Sequence, residues 1–129
     1  MSEQSVAQAN IAIIRRFIAD WSNLDADQLA EYFTDNGTYH NMPIAPVTGK
    51  AAVRDFIAGF IANWSATTWD LLNISASDNV VIAERLDRTS THTGDVDLPC
   101  VGVFEMLDGK IHVWRDYFDM NTFTSAMKS

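Results

Sequence analysis

Residues 79–118, NVVIAERLDRTSTHTGDVDLPCVGVFEMLDGKIHVWRDYF, decide the architecture of this chain. Apolar and polar side chains alternate through runs at 79–91, 98–107 and 110–118, with Thr93-Gly94-Asp95 and Asp108-Gly109 as turn residues between them. A further run at 67–76 precedes Ser77-Asp78-Asn79. Four strands on such short connections predict an antiparallel meander. Within it, Arg85/Asp87 and Trp114/Asp116 are each spaced two apart, and residues so spaced share one face of a strand.

Upstream the period changes. Ile11, Ile14, Phe17, Ile18 and Trp21 recur at threes and fours, predicting an amphipathic helix from about Ser5 to Trp21. A second helix is expected from Asp25 or Ala26 to Phe33, with Asp25 as N-cap and Asp35-Asn36-Gly37 closing it. Thr38 to Met42 reads as a short strand ending at Pro43 and Pro46, and it carries a third spaced pair, Tyr39/Asn41. Thr48-Gly49 then opens a third helix, whose stripe of Val53, Phe56, Ile57, Phe60, Ile61 and Trp64 carries it through about Asn63. A short C-terminal helix from about Asn121 would rest on Phe123 and Met127.

Helices followed by antiparallel strands define an α+β fold, with helices packed on one face of the sheet. A curved sheet covered in this way encloses a cone with a pocket. Trp21, Phe60 and Trp64 supply more large apolar surface than the core of a 129-residue chain needs, so some of it is available to line that pocket. The length suits one domain over 1–129. A formal charge of −8 argues against nucleic acid or an anionic membrane as partner, because the field repels phosphates. Cys100 is the single cysteine and is expected to be a buried, unreactive thiol in a reducing cytosol. No apolar run approaches the roughly 20 residues that span a bilayer, and Glu3 stands where a signal peptide would be basic. A cytoplasmic protein is expected.

Brought together, the three pairs place two carboxyl groups, a guanidinium, a phenol and a carboxamide in an otherwise apolar interior. That set suits hydrolysis. The strands bearing Asp87 and Asp116 are separated by one other, so their backbones lie roughly 9–10 Å apart, room for a water and a substrate bond between two carboxyl groups. Sharing Arg85, the two carboxyls titrate as a coupled set that retains one proton, leaving one acid and one base. Tyr39 and Asn41 are suited to orienting a water. Which strand faces turn inward stays open, since neither face of 79–91 or 110–118 is purely polar. A two-residue Asp108-Gly109 turn would set Asp116 opposite Val101. A three-residue loop with left-handed Gly109 would set Trp114 opposite Gly102 and Asp116 opposite Cys100. The second is preferred, because Gly102 leaves room for the indole and small residues there let Arg85 reach Asp116. His40, His92 and His112 lack metal-ligand spacing, and no phosphate loop or nucleophile elbow occurs, so neither metal nor cofactor is expected.

Tyr39-His40-Asn41-Met42-Pro43, Glu84-Arg85-Leu86-Asp87, Gly102-Val103-Phe104, Gly109-Lys110-Ile111 and Trp114-Arg115-Asp116-Tyr117-Phe118-Asp119 together resemble the limonene epoxide hydrolase family. The resemblance runs from about residue 30 to 123. It implies a cone of mixed, mostly antiparallel curved sheet with three to four helices around a deep pocket, and a homodimer. It also implies one-step, cofactor-free addition of water to a small epoxide, giving a trans-type diol. By motif Asp116 is the base, Asp87 the acid and Arg85 the bridge. Tyr39 and Asn41 hold the water with Asp116, and Trp114 is a pocket wall and hydrogen-bond donor. Leu98, Cys100, Phe118, Phe60, Trp21 and Phe123 shape the pocket by similarity. Cys100 and Thr89 stand where larger aliphatic residues are expected and Phe60 where a smaller one is, so the pocket contour departs from the family.

Two rivals share the cone. A ketosteroid-isomerase-like or polyketide-cyclase-like enzyme would need a neutral acid to stabilise an enolate, against which Arg85 works by favouring ionisation. A binding module would use the cavity without chemistry.

Overall fold

The computed structural model describes residues 5–127. Helix α1 (Val6–Asp20) starts at a capping box, in which the Ser5 hydroxyl accepts from the Gln8 amide at 3.0 Å and the Gln8 side chain accepts from the Ser5 amide. A short 3-10 turn (Trp21–Asn23) follows, and Asp25 caps α2 (Ala26–Ala30). Strand β1 (Phe33–Asn41), the short β2 (Val47–Thr48) and α3 (Lys50–Ile61) lead into four long strands, β3 (Trp64–Ser77), β4 (Val80–Thr91), β5 (Asp95–Leu107) and β6 (Lys110–Tyr117). Helix α4 (Met120–Met127) closes the described chain; the expected role of the Met127 side chain lies outside the described residues. No helix among the described residues is long and apolar enough to cross a membrane.

The strands form one sheet in the order β2-β1-β6-β5-β4-β3. The meander β3 to β6 is antiparallel as expected, and β1 joins its far edge parallel to β6, making the sheet mixed. That pairing sets Tyr39 beside Trp114 and Asn41 beside Asp116. Phe33 begins β1 instead of ending α2, and Asp35-Asn36-Gly37 forms an irregularity within the strand: Phe33 pairs with Ile111 and Thr38 with Val113. A Cβ on Gly37 would lie 3.1 Å from the Phe33 ring and 3.2 Å from the Ile111 carbonyl, so close approach of the backbones is what calls for glycine there.

The β5–β6 hairpin follows neither expected register. Asp108 and Gly109 form a two-residue turn with positive φ at both, 50° and 79°, and Leu107 pairs with Lys110. His112 is then an extra residue, since Met106 pairs with Ile111 but Glu105 pairs with Val113. The bulge sets Trp114 opposite Phe104 and Asp116 opposite Gly102. Its physical reason lies in the core. Ile111 and Trp114 are three apart and would sit on opposite faces of a regular strand, yet both are fully buried. Ile111 thus leaves the Val113 and Arg115 face to which simple alternation assigns it. The bulge is tied to the irregular part of β1 by a 2.9 Å hydrogen bond between His112 Nδ1 and Thr34 Oγ1.

Burial settles the open question of faces. On β4 the residues Val81, Ala83, Arg85, Asp87 and Thr89 point inward, while Ile82 is exposed. The core is aromatic. Phe17 of α1 meets the rings of Trp21, Tyr32, Phe33, Phe104 and Trp114 edge-on, with centroids 5.1 to 6.1 Å away.

Deleting His112 should remove the bulge and turn either Ile111 or Trp114 outward, because a one-residue slip reverses every side chain beyond it. Loss of cooperative thermal unfolding is expected for the deletion. His112→Ala, which keeps the residue count, should cost only about 1 kcal/mol.

Candidate active site

Arg85 is fully buried at the floor of the site, where one guanidinium grips both carboxylates. Its Nε donates to Asp87 Oδ1 at 2.9 Å and Nη2 to Asp87 Oδ2 at 2.7 Å; Nη1 donates to Asp116 Oδ1 at 2.8 Å and Nη2 to Asp116 Oδ2 at 2.7 Å. Two bidentate pairs from one arginine use its planar fork on two edges. The third strand that separates β4 from β6 is crossed at Gly102. A Cβ there would lie 2.9 Å from Arg85 Nη1 and 3.0 Å from Asp116 Oδ1. Small size on β5 does let Arg85 reach Asp116, but the space serves this ion pair and not the Trp114 indole. Trp69 lies against the guanidinium with its ring centre 4.3 Å from the central carbon.

The gap between the carboxyls is therefore filled by Arg85, and both carboxyls border the cavity on their other side. Oxygens of Asp87 and Asp116 and the Cys100 sulfur lie within 4.8 Å of one another, a spacing that would suit a cation. The positive charge at that place is the guanidinium itself. Cys100 Sγ donates to Asp87 Oδ2 at 3.5 Å, and Trp114 Nε1 donates to Asp116 Oδ1 at 3.1 Å.

Burial raises the pKa of Asp87, and the opposing pull of Arg85 does not cancel it. Burial also works to neutralise Arg85, but Asp116 and Asp87 hold the guanidinium ionised well above its usual range. Tyr39 is pushed well above the ordinary phenol range by burial and by the Asp116 charge, so its hydroxyl keeps its proton. Burial and Asp87 likewise push the Cys100 thiol upward, which fits the unreactive role expected of it.

Above this floor opens a cavity of about 240 Å³ with almost wholly apolar walls. Tyr39, Asn41, Asp87 and Asp116 border it, so four of the five expected catalytic side chains meet at one end, and Arg85 lies beneath them. Of the expected wall residues, Leu98, Cys100, Phe118, Phe60 and Phe123 line it. Trp21 and Trp114 do not. Trp21 is buried behind Trp69, the two rings stacked at 4.2 Å, and Trp114 is sandwiched between Tyr39 at 4.2 Å and Phe104 at 5.3 Å. Both indoles are core; Trp114 acts on the site through its bond to Asp116.

Sequence reasoning missed Trp69, Phe56 and Ile44 as wall residues. Trp69 faces Asp87 across the β3–β4 pairing, so only the register of β3 could have placed it. Phe56 sits edge-on to the Tyr39 ring at 5.6 Å. Ile44 lies between two prolines, in a loop without periodicity.

The family model for the limonene-1,2-epoxide hydrolase catalytic domain matches residues 8–129. The chain belongs to the limonene-1,2-epoxide hydrolase family. Epoxide hydrolase EphG of Mycobacterium tuberculosis is 26% identical over 107 residues, which make up 83% of this chain and 71% of that protein. The structure of a limonene-epoxide-hydrolase-like epoxide hydrolase from M. tuberculosis superposes with a TM-score of 0.81 at 24% identity, covering 94% of this chain and 90% of that one. A polyketide cyclase-like protein from Xanthomonas campestris pv. campestris superposes at 0.87 with 17% identity, covering 96% of this chain and all of the other, 100%. At such identities these likenesses show a shared fold, and the limonene-1,2-epoxide hydrolase family is distinguished within it by sequence.

Two outcomes follow from the geometry. Gly102→Ala should destabilise the protein by about 1–3 kcal/mol in chemical denaturation, since the new methyl collides with Arg85 and Asp116. Asp87 binds its proton more tightly folded than unfolded. Stability should therefore fall as pH rises from the ordinary carboxylate range through its raised value, and Asp87→Asn should flatten that part of the stability curve.

Proposed function

We propose that this protein hydrolyses a small, mostly apolar epoxide in one step, without metal or cofactor, with Asp116 as general base and Asp87 as general acid. The observation that carries the reading is the buried Asp87–Arg85–Asp116 bridge, set with Tyr39 and Asn41 at one end of an apolar cavity.

Water is held by Asp116, Asn41 and the Tyr39 phenol. Asp116 takes its proton as the water oxygen forms a bond to one epoxide carbon. The carbon–oxygen bond on the opposite side breaks, and the departing oxygen takes the proton of Asp87. The product is a trans-type vicinal diol. Asp116 ends protonated and Asp87 ionised, and proton exchange with solvent restores the starting state. The two carboxyls differ in surroundings. Asp87 lies against an apolar wall, and its burial favours the neutral acid. Asp116 accepts the Trp114 indole N–H at 3.1 Å. Ring strain supplies driving force, so acid and base assistance of roughly 10²–10⁴-fold each suffices. For self-association, exposed Ile82, Val101 and Tyr117 on the outward sheet face support a homodimer, which sedimentation would detect.

Limonene-1,2-epoxide and cyclohexene oxide in oxygen-18 water, with chelator present, provide the test. One label per diol is expected, and Asp116→Asn and Asp87→Asn should each lower kcat by at least 10². Label-free diol, or diol formation undiminished in either variant, would sink the assignment. Activity should also fall on the alkaline side as Asp87 loses its proton, read from kcat/KM against pH.

A further inference from the structure

Among the polar side chains bordering the cavity, Tyr39, Asn41, Asp87 and Asp116 gather at one end with the Cys100 thiol. Thr89 stands apart from them. It lies two residues beyond Asp87 on the same face of β4, about 7 Å along the strand, and pairs with Val96 of β5, another wall residue. Thr89 is buried, and the cavity wall residues nearest it on β5, Val96 and Leu98, are apolar.

The hydroxyl of Thr89 is only partly used. Its Oγ1 lies 2.8 Å from Thr67 Oγ1, which also accepts from Trp69 Nε1 at 3.1 Å and stands 3.2 Å from the Arg88 carbonyl. Thr67 has one proton to give. If that proton goes to Arg88, Thr89 donates to Thr67 and keeps two lone pairs; if it goes to Thr89, Thr89 keeps its own proton and one lone pair. A ligand hydroxyl, both donor and acceptor, satisfies either arrangement, whereas a ketone satisfies only the second.

We propose that Thr89 binds a hydroxyl group of the substrate remote from its epoxide. The ligand is then a compact apolar epoxide that carries one hydroxyl about 7 Å from the epoxide oxygen. This inference rests on the epoxide hydrolase reading for the position of the reacting oxygen at Asp87. In an apolar cavity the hydroxyl would otherwise lose its water partners without replacement, so Thr89 discriminates between oxygenated and purely hydrocarbon skeletons.

The test uses one skeleton with and without the group. Binding of α-terpineol and of p-menth-1-ene is followed by quenching of Trp64 and Trp69, which border the cavity. Turnover of their two 1,2-epoxides is measured beside it. Thr89→Val preserves volume and leaves Thr67 its bonds to Arg88 and Trp69, so the fold is retained; Thr89→Ser restores the hydroxyl. The expected result is that Thr89→Val weakens α-terpineol and lowers kcat/KM for its epoxide by roughly tenfold relative to the hydrocarbon pair. Thr89→Ser should recover the difference. Equal effects of Thr89→Val on both members of each pair, or no effect on either, would overturn the proposal. Absence of diol from both epoxides with the binding difference intact removes the hydrolase reading and leaves hydroxyl recognition by Thr89 standing.

Discussion

One guanidinium holding two buried carboxyl groups is the constraint around which the molecule is arranged. Removing a guanidinium and its carboxyl partners from water is costly, and only complete pairing offsets it. The four contacts of 2.7 to 2.9 Å from Arg85 supply that pairing at its edges, and Trp69 covers one face of the guanidinium. A site of this kind contributes little to net stability but is intolerant of partial loss, since one missing partner leaves a buried charge alone. It demands a floor without side chain between the two acids, which Gly102 provides.

The sheet serves that demand. Asp87 and Asp116 come from β4 and β6, and β5 between them must present its small residue at the right height. The His112 bulge does this by moving Asp116 opposite Gly102 while keeping Ile111 and Trp114 both in the core. Parallel addition of β1 then brings Asn41 beside Asp116. Rigidity comes from the ring packing behind the site: Tyr39, Trp114 and Phe104 are stacked, and Phe17 meets Trp114 and Phe104 from α1. Side chains locked in this way hold a reacting geometry without reorganisation during the reaction.

The cavity adds selectivity. At about 240 Å³ it lies below the roughly 300–1,000 Å³ usual for ligand sites, so it admits a compact molecule and little water. Exclusion of water strengthens the electrostatics of the buried acids.

Much of this was legible along the chain because it is local. Periodicities of 3.6 and 2 mark helices and strands by the repeat of apolar burial, and the pairs Arg85/Asp87, Tyr39/Asn41 and Trp114/Asp116 share strand faces for a reason internal to each strand. The matched motifs carried family and activity class. What depended on partners distant in sequence was not legible. The parallel edge of β1, the extra residue at His112 and the place of Trp69 opposite Asp87 are products of register, which is chosen by the whole core. Trp21 and Trp114 carry the same composition signal as a pocket wall, yet packing against Trp69, Tyr39 and Phe104 makes them core. Residue types and their spacing determined which chemical groups this protein holds and which of them share a strand face. Tertiary structure alone decided the register that sets Asp116 opposite Gly102 under the Arg85 guanidinium, because that outcome depends on how three strands are aligned across one glycine.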